Sequence, residues 1–459
     1  MTILLGLLGL SVVIVVHEFG HYLAARLAGV EVETFSIGWG PRLFGFTKGK
    51  TEWRISALPL GGYCRMKGEE EFRTAIERKL PFIPRERGSF YGAAPFARIL
   101  ILVSGPLANL LLAALIFSFV SFVGIKYTTS PNKIVLASEL AGMNRTLNVQ
   151  AHANPNPADL AGLRTGDRVV AINGTAVEDY ADIQEQISLN PEKALLLTVE
   201  RENERLSIPV IPRLDKNTGQ GLIGIYSWVE PVVASLDPEG SARLAGLRTK
   251  DRIVTAQGKN IRNTIDLMAA LSERPGRLDL TVLREGKELS FILVLSYTDQ
   301  GSANLGIEFS GIEKIEKADS AGDAVVRGLR ETRETLGTTL KGIGLLFRGV
   351  DLLKAVSGPA RITYMVGNAA SESLKSDGLS GILPILSFLA FLSIGLFIMN
   401  LLPIPALDGG QIILSLVEAI KRSPLSTTTI YRYQFVGSAM IMLLFVLVTF
   451  SDILFFAGK

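Results

Sequence analysis

Cysteine and histidine are scarce in this chain of 459 residues: one cysteine, Cys64, and three histidines, His17, His21 and His152. A single cysteine excludes an internal disulfide and any zinc site built on thiolates. Net charge is only +3, and there is no Lys/Arg tract of the kind that grips phosphate backbones, so nucleic acid is excluded as a partner. A basic stretch ahead of the first apolar run is also missing. A cleaved signal peptide carries one and has a shorter apolar core, so this run is expected to stay as a retained first span.

Apolar residues are abundant, 48% of the total, and they are gathered rather than spread. Four runs stand out: Ile3 to Leu27, Phe96 to Val123, Ile382 to Leu402 and Phe435 to Phe456. Each is near the ~20 residues that a helix needs to cross a bilayer, and lipid is the implied surroundings. Between the first two runs lysine and arginine are dense, from Arg42 through Lys67 to Arg87, and Lys421, Arg422 and Arg432 lie between the last two. Such an excess marks the cytoplasmic side. Both termini and the long segment between the second and third runs are therefore expected outside.

The first run contains His17-Glu18-Phe19-Gly20-His21. A spacing of four puts both imidazoles on one helical face. Neutral imidazole is a preferred zinc ligand, and a catalytic zinc keeps a position open for water beside its protein ligands. A neighbouring carboxylate such as Glu18 can act as general base. H-E-x-x-H arises by chance in soluble helices, but ionisable groups inside a span are expensive and mark function. The site would lie in the cytoplasmic half of the bilayer. A third ligand is needed. His152 falls on the wrong side and reads as a surface histidine. Asp408 sits in Asn400-Leu401-Leu402-Pro403-Ile404-Pro405-Ala406-Leu407-Asp408-Gly409-Gly410, at the depth of His21. Prolines break the helix before it, and glycines allow a tight turn that aims the carboxylate inward. Alone, Asp408 could be an interfacial cap. With His17 and His21 it completes a two-histidine, one-carboxylate site.

After the first run, Phe35–Pro41 and Glu52–Leu58 read as short strands, followed by a turn-rich Pro59-Leu60-Gly61-Gly62-Tyr63. They form either a cytoplasmic hairpin or a β region that dips into the bilayer. The outer segment contains a repeat. Ala158-Asp159-Leu160-Ala161-Gly162-Leu163 returns as Ala242-Arg243-Leu244-Ala245-Gly246-Leu247, an offset of 84 residues that suits two duplicated small domains. Each copy continues with a strand, a turn (Asn173-Gly174; Gln257-Gly258), a helical stretch and further strands near Ala194–Glu200 and Leu278–Leu283. This α+β pattern resembles PDZ domains of bacterial proteases. The resemblance makes Gly224, Ile225, Gly306 and Ile307 candidate groove residues for a peptide chain end, unless both grooves are closed and the copies are spacers. From about Ala324 to Ala355, apolar residues at three- and four-residue steps and interspersed arginines give a basic amphipathic helix. It lies on the membrane surface or packs against a PDZ domain or the spans.

H-E-x-x-H in the first span, N-x-x-P-x-P-x-x-D-G in the third and the tandem PDZ-like pair between spans two and three together resemble the site-2 proteases, over essentially the whole chain. The resemblance implies one Zn²⁺ on His17, His21 and Asp408, with Glu18 activating water and Asn400 helping to hold substrate. Phe35–Pro41 and Gly61–Gly68 look like the family's membrane-reentrant β region. On that basis Gly61, Gly62, Tyr63, Pro403 and Pro405 are candidate substrate contacts. Ser104-Gly105-Pro106-Leu107-Ala108-Asn109 resembles its second-span signature; by itself it reads as close helix packing. Cys64 and Arg65 depart from the family's usual Val-Lys, with little effect expected.

The expected fold is a polytopic α-helical membrane protein of four transmembrane helices, with a membrane-associated β region and two extracytoplasmic α+β PDZ domains. The expected divisions are residues 1–28 (first helix), 29–95 (cytoplasmic-side loop with the β region), 96–125 (second helix), 126–228 and 229–311 (PDZ domains), 312–380 (amphipathic segment), 381–410 (third helix), 411–434 (cytoplasmic loop) and 435–459 (fourth helix). The implied function is intramembrane zinc metalloproteolysis in a bacterial inner membrane, with the PDZ pair periplasmic. The implied substrate is a single-pass protein such as a trimmed anti-sigma factor, or a remnant signal peptide. The competing reading is a membrane-bound PDZ adaptor with a structural metal, which would not need Glu18. A metal transporter would want polar residues along spans two and four, which are nearly bare of them.

Overall fold

The computed structural model describes residues 2–140, 155–272, 274–295, 297, 303–346, 358, 360–365, 367 and 381–457. His152 and the end of the expected amphipathic stretch beyond 346 lie outside these residues. The chain divides into two compact units, one formed by 1–125, 316–346 and 351–459, the other by 126–315 and 347–350.

In the first unit, four helices are long and apolar enough to cross a membrane. They are Thr2–Leu27, Pro95–Val123, Ile382–Leu401 and Thr427–Ala457. The first three match the runs seen in the sequence. The fourth begins well before Phe435, because Thr427-Thr428-Thr429 starts the helix while still polar. The stretch 411–434, expected as a loop, is mostly helical. A separate helix, Asp408–Lys421, fills its first half. The third span therefore stops at Leu401, and Asp408 opens the next helix instead of ending the span. Pro403 and Pro405 enforce that break, since proline lacks the N–H that a continuing helix would use.

Spans one and two cross where side chains are small. A Cβ on Gly20 would run into the Ser104 carbonyl and Ala108, and one on Gly105 into the His21 ring. The Ser104 hydroxyl donates to the Gly20 carbonyl at 2.9 Å. Close packing is thus what the Ser104–Asn109 stretch provides, as its small residues suggested. The amphipathic helix, Ala321–Leu346, packs on the spans. Its Leu336 and Ile343 join Ala113, Phe117, Ala390 and Ile394 in one apolar cluster, while Thr332 and Thr335 are buried with it.

The segment after the first span is more regular than its sequence suggested. It is one hairpin of long strands, Val32–Lys48 and Thr51–Met66, turning at Gly49-Lys50. Pro59–Tyr63 is part of the second strand and not a turn. Positive φ at Gly38, Gly40 and Gly61 bends the strands, as only glycine does without strain. The bends fold the hairpin back on itself. Ser36 pairs with both Tyr63 and Arg54, and Arg54 pairs also with Gly45. The lateral order is 42–48, 51–56, 32–37, 62–66, which leaves 62–66 at an edge. Tyr22 of the first span, Phe35 and Trp53 lock the hairpin to that helix with ring centroids 4.9–5.7 Å apart.

The second unit contains the duplication. Each copy has a four-stranded antiparallel sheet and its own apolar core. The strand order is Thr175–Ala176, Arg168–Ile172, Leu195–Arg201, Glu204–Val210 in one copy. It is Lys259–Asn260, Arg252–Ala256, Arg277–Arg284, Lys287–Val294 in the other. Helices Tyr180–Ser188 and Thr264–Leu271 accompany the sheets. Their N-caps, Asp179 and Asn263, accept from the backbone two and three residues on, which satisfies two of the helix's orphan donors.

Candidate active site

The first span buries His17 and His21, 5% and 6% exposed. Their Nε2 atoms lie 3.1 Å apart. Asp408, brought in by the break after Leu401, places Oδ2 3.2 Å from His17 Nε2 and 3.4 Å from His21 Nε2. Zinc bonds to nitrogen and oxygen are about 2.0–2.1 Å, so a tetrahedral ion separates its ligand atoms by about 3.3 Å. The three observed separations fit that value. The electronics of the three side chains also suit a cation. Asp408 Oδ2 is buried without a hydrogen bond of regular geometry. His21 Nδ1 lies 2.8 Å from the Ile101 carbonyl. A carbonyl only accepts, so Nδ1 carries the proton and Nε2 keeps its lone pair for a metal. Among the described residues, these three form the one cluster of metal-capable side chains.

Glu18 is half-buried on the same helix. Its Oε2 accepts from the Cys64 N–H at 3.0 Å, which ties the carboxylate to edge segment 62–66. Ser11 makes the parallel contact two helical turns earlier. Its hydroxyl donates to the Pro59 carbonyl at 2.6 Å and accepts from the Gly61 N–H at 3.2 Å. A Cβ on Gly61 would strike Ile14, and one on Gly62 the Ser36 carbonyl. Gly61 lets the strand lie close against the first span, and Gly62 lets it lie close against its neighbour 32–37. Tyr63 packs on Trp39 with ring centroids 5.2 Å apart and the planes tilted. Cys64, which looked incidental in the sequence, thus contributes a main-chain donor to the proposed base. That donor does not depend on side-chain identity, so spacing alone could not reveal it.

Asn400 is in the last turn of the third span, Pro403 is exposed and Pro405 half-buried in the following bend. Pro405 and Ala406 press against Gly437 of the fourth span. Asn109 was legible only as part of a packing stretch, yet it is fully buried beside His17. The hint was there, since an amide inside an apolar span needs a reason. A further buried pair, Arg98 with Glu418, joins the start of the second span to helix Asp408–Lys421. Glu418 also accepts from the Leu425 N–H at 2.7 Å. It holds that helix, and with it Asp408, in place.

The candidate groove residues fall in equivalent places in the duplicated unit. Gly224 and Gly306 both have positive φ. Ile225–Ser227 pairs with Ile134–Leu136, and Ile307–Phe309 with Val233–Leu236. A cavity of about 610 Å³ lies at the second copy, lined by Ser235–Pro238 and by Ala303–Glu308.

The profile of Peptidase family M50 matches residues 5–444. A Treponema pallidum protein named as a zinc metalloprotease is 38% identical over 454 residues, covering 99% of each chain. The regulator of sigma-E protease RseP of Escherichia coli is 29% identical over 470 residues, 97% of each. The zinc metalloprotease RasP of Geobacillus kaustophilus is 29% identical over 446 residues, 95% of this chain and 94% of its own. With a family match across nearly the whole length and four membrane-crossing helices, the adaptor and transporter readings fall away. The chain belongs to peptidase family M50, the site-2 protease family, and is a membrane zinc metalloprotease.

Proposed function

We propose that His17, His21 and Asp408 hold the zinc, that Glu18 is the general base, and that the substrate is a peptide bond inside the transmembrane segment of a single-pass protein. The observation that carries this is the near-equal spacing of the three ligand atoms, with Glu18 one residue along the same buried helix. Bound there, zinc supplies Lewis acidity for water and for the scissile carbonyl. Glu18 takes the proton of the attacking water and returns it to the leaving amine. The Cys64 N–H holds one oxygen of Glu18 and so fixes the other in orientation. The test is Glu18→Gln, which is nearly isosteric and not a ligand: zinc content should stay while cleavage is lost.

A membrane helix hides its peptide bonds, so the substrate has to unwind before attack. Segment 62–66 is an edge strand beside Glu18, and an unwound substrate strand can add to such an edge by main-chain hydrogen bonds. In this reading Gly61, Gly62 and Tyr63 guide the substrate strand, while Asn400, Pro403 and Pro405 bound it from the side of Asp408. A trimmed anti-sigma factor fits as substrate class, as does a remnant signal peptide. The position of the basic loops favours a bacterial inner membrane with the zinc toward the cytoplasm. In this reading the duplicated unit is a periplasmic PDZ pair, residues 126–228 and 229–311. A cavity beside its second groove, at Gly306 and Ile307, has room for a chain end; the first groove, at Gly224 and Ile225, is the equivalent position. As a folded obstacle, the pair admits substrates already cut to a short outer stub and rejects bulky ones.

A further inference from the structure

Asn109 lies in the middle of the second span and is 0% exposed. Its main-chain carbonyl accepts from the Ser393 hydroxyl at 2.8 Å, so the third span fixes where it sits. Its side-chain amide reaches His17 Nδ1 at 3.2 Å through Nδ2, while Oδ1 is buried with no partner. The two ligand imidazoles therefore differ. His21 has a carbonyl at Nδ1, which fixes its tautomer. His17 has an amide, which can present either a donor or an acceptor.

We propose that Asn109 is the positioning residue for His17, with Oδ1 accepting a hydrogen bond from His17 Nδ1–H. This rests on the reading of His17 as a zinc ligand. A ring that ligates through Nε2 carries its proton on Nδ1 and needs an acceptor there. An amide nitrogen in that place would set donor against donor. Turning the amide half a revolution exchanges Nδ2 for Oδ1 with almost no change of shape, and which atom faces the ring follows from the hydrogen-bond network. The acceptor that is idle in the first orientation is then the one that holds the ring. His17 and His21 thus both hang from the second span by Nδ1, one through the Ile101 carbonyl and one through the Asn109 side chain. That span becomes part of the metal site without supplying a ligand.

The experiment measures zinc affinity of the full-length protein in detergent or nanodiscs by competition with a chromogenic chelator. Asn109→Leu keeps the volume and removes the acceptor, and its zinc Kd should rise about 10–100-fold, the usual cost of losing an outer partner of a ligand histidine. Asn109→Asp offers only acceptors and should recover most of that loss. If Asn109→Asp is as weak as Asn109→Leu, an acceptor at this position does not support His17, and that result overturns the proposal. So does wild-type affinity in Asn109→Leu. If the leucine variant fails to accumulate, Asn109→Ala, which leaves space and suits a helix, serves in its place with the same expected weakening. His17→Ala is the control for the underlying reading. It should lose more affinity than any Asn109 variant, and full retention would remove His17 as a ligand and the proposal with it.

Discussion

Asp408 in the membrane unit and Asp251 in the duplicated unit are both inward-facing carboxylates with basic neighbours, and their surroundings differ in kind. Asp251 is 0% exposed and fully satisfied. Arg284 gives it two hydrogen bonds at 2.7 Å, and the Arg248 N–H a third at 2.8 Å. The first copy repeats the device with Asp167, Arg201 and the Arg164 N–H. Asp408 instead faces two imidazoles and leaves Oδ2 without a regular hydrogen bond. An unsatisfied buried polar group is costly. On the reading proposed above, a fold that tolerates one beside two histidines keeps the position for an ion, whereas a fold that satisfies every oxygen of a carboxylate uses it as a brace.

The comparison breaks most readily at Glu18. Glu18→Gln should lower cleavage of a membrane-inserted substrate by about 10²–10⁴-fold, the usual contribution of a positioned base, with zinc stoichiometry unchanged. Normal turnover would remove Glu18 from the mechanism. Asp408→Ala should lose both zinc and activity, since it deletes a proposed ligand. Metal analysis of purified protein decides this, and unchanged zinc would point to another third ligand.

The next prediction concerns the duplicated unit as a whole. Replacing residues 130–310 by a flexible linker should let the enzyme cut a substrate that carries a folded outer domain, while a short-tailed substrate with the same span is cut by both forms. Equal cleavage of the two substrates by the intact enzyme would end the size-filter idea. Failure of a zinc-loaded deletion form on both would give the unit a required role in delivery.

The smallest effect belongs to the brace. Asp251→Asn should leave zinc content and cleavage intact and destabilise the second copy by about 3 kcal/mol, as expected when a buried ion pair loses one charge. Burial works against the charge of Asp251, but the Arg284 hydrogen bonds and the Arg248 N–H outweigh it, and its carboxyl stays below the ordinary aspartate value. Its contribution is fully present above about pH 4, where an unfolded aspartate is ionised, and is lost as pH falls through the folded value. The stability gap between wild type and Asp251→Asn should therefore narrow below about pH 4, measured by denaturant unfolding. A constant gap would show that the asparagine harms packing instead of charge.

Much of this protein was written in one dimension. Long apolar runs gave three of the spans nearly to the residue, because a helix in lipid satisfies its own backbone and length is the whole requirement. His17, Glu18 and His21 were legible because one helical turn brings them together without help from the rest of the fold. The repeat was legible because duplication copies turns and core positions alike. Other features needed the third dimension. Pro59–Tyr63 reads as a turn, and only pairing with 32–37 makes it a strand. The amphipathic helix has the same pattern whether it covers lipid or protein, and packing at Leu336 and Ile343 chose protein. Asp408 needed a chain reversal to reach two histidines nearly 400 positions away. Cys64 and Ile101 act on the site through main-chain groups, which every residue possesses and no sequence distinguishes. Asn109 acts through a side chain whose partner lies on another helix. Local periodicity determined the elements and half of the site, and tertiary contacts decided which polar groups complete it.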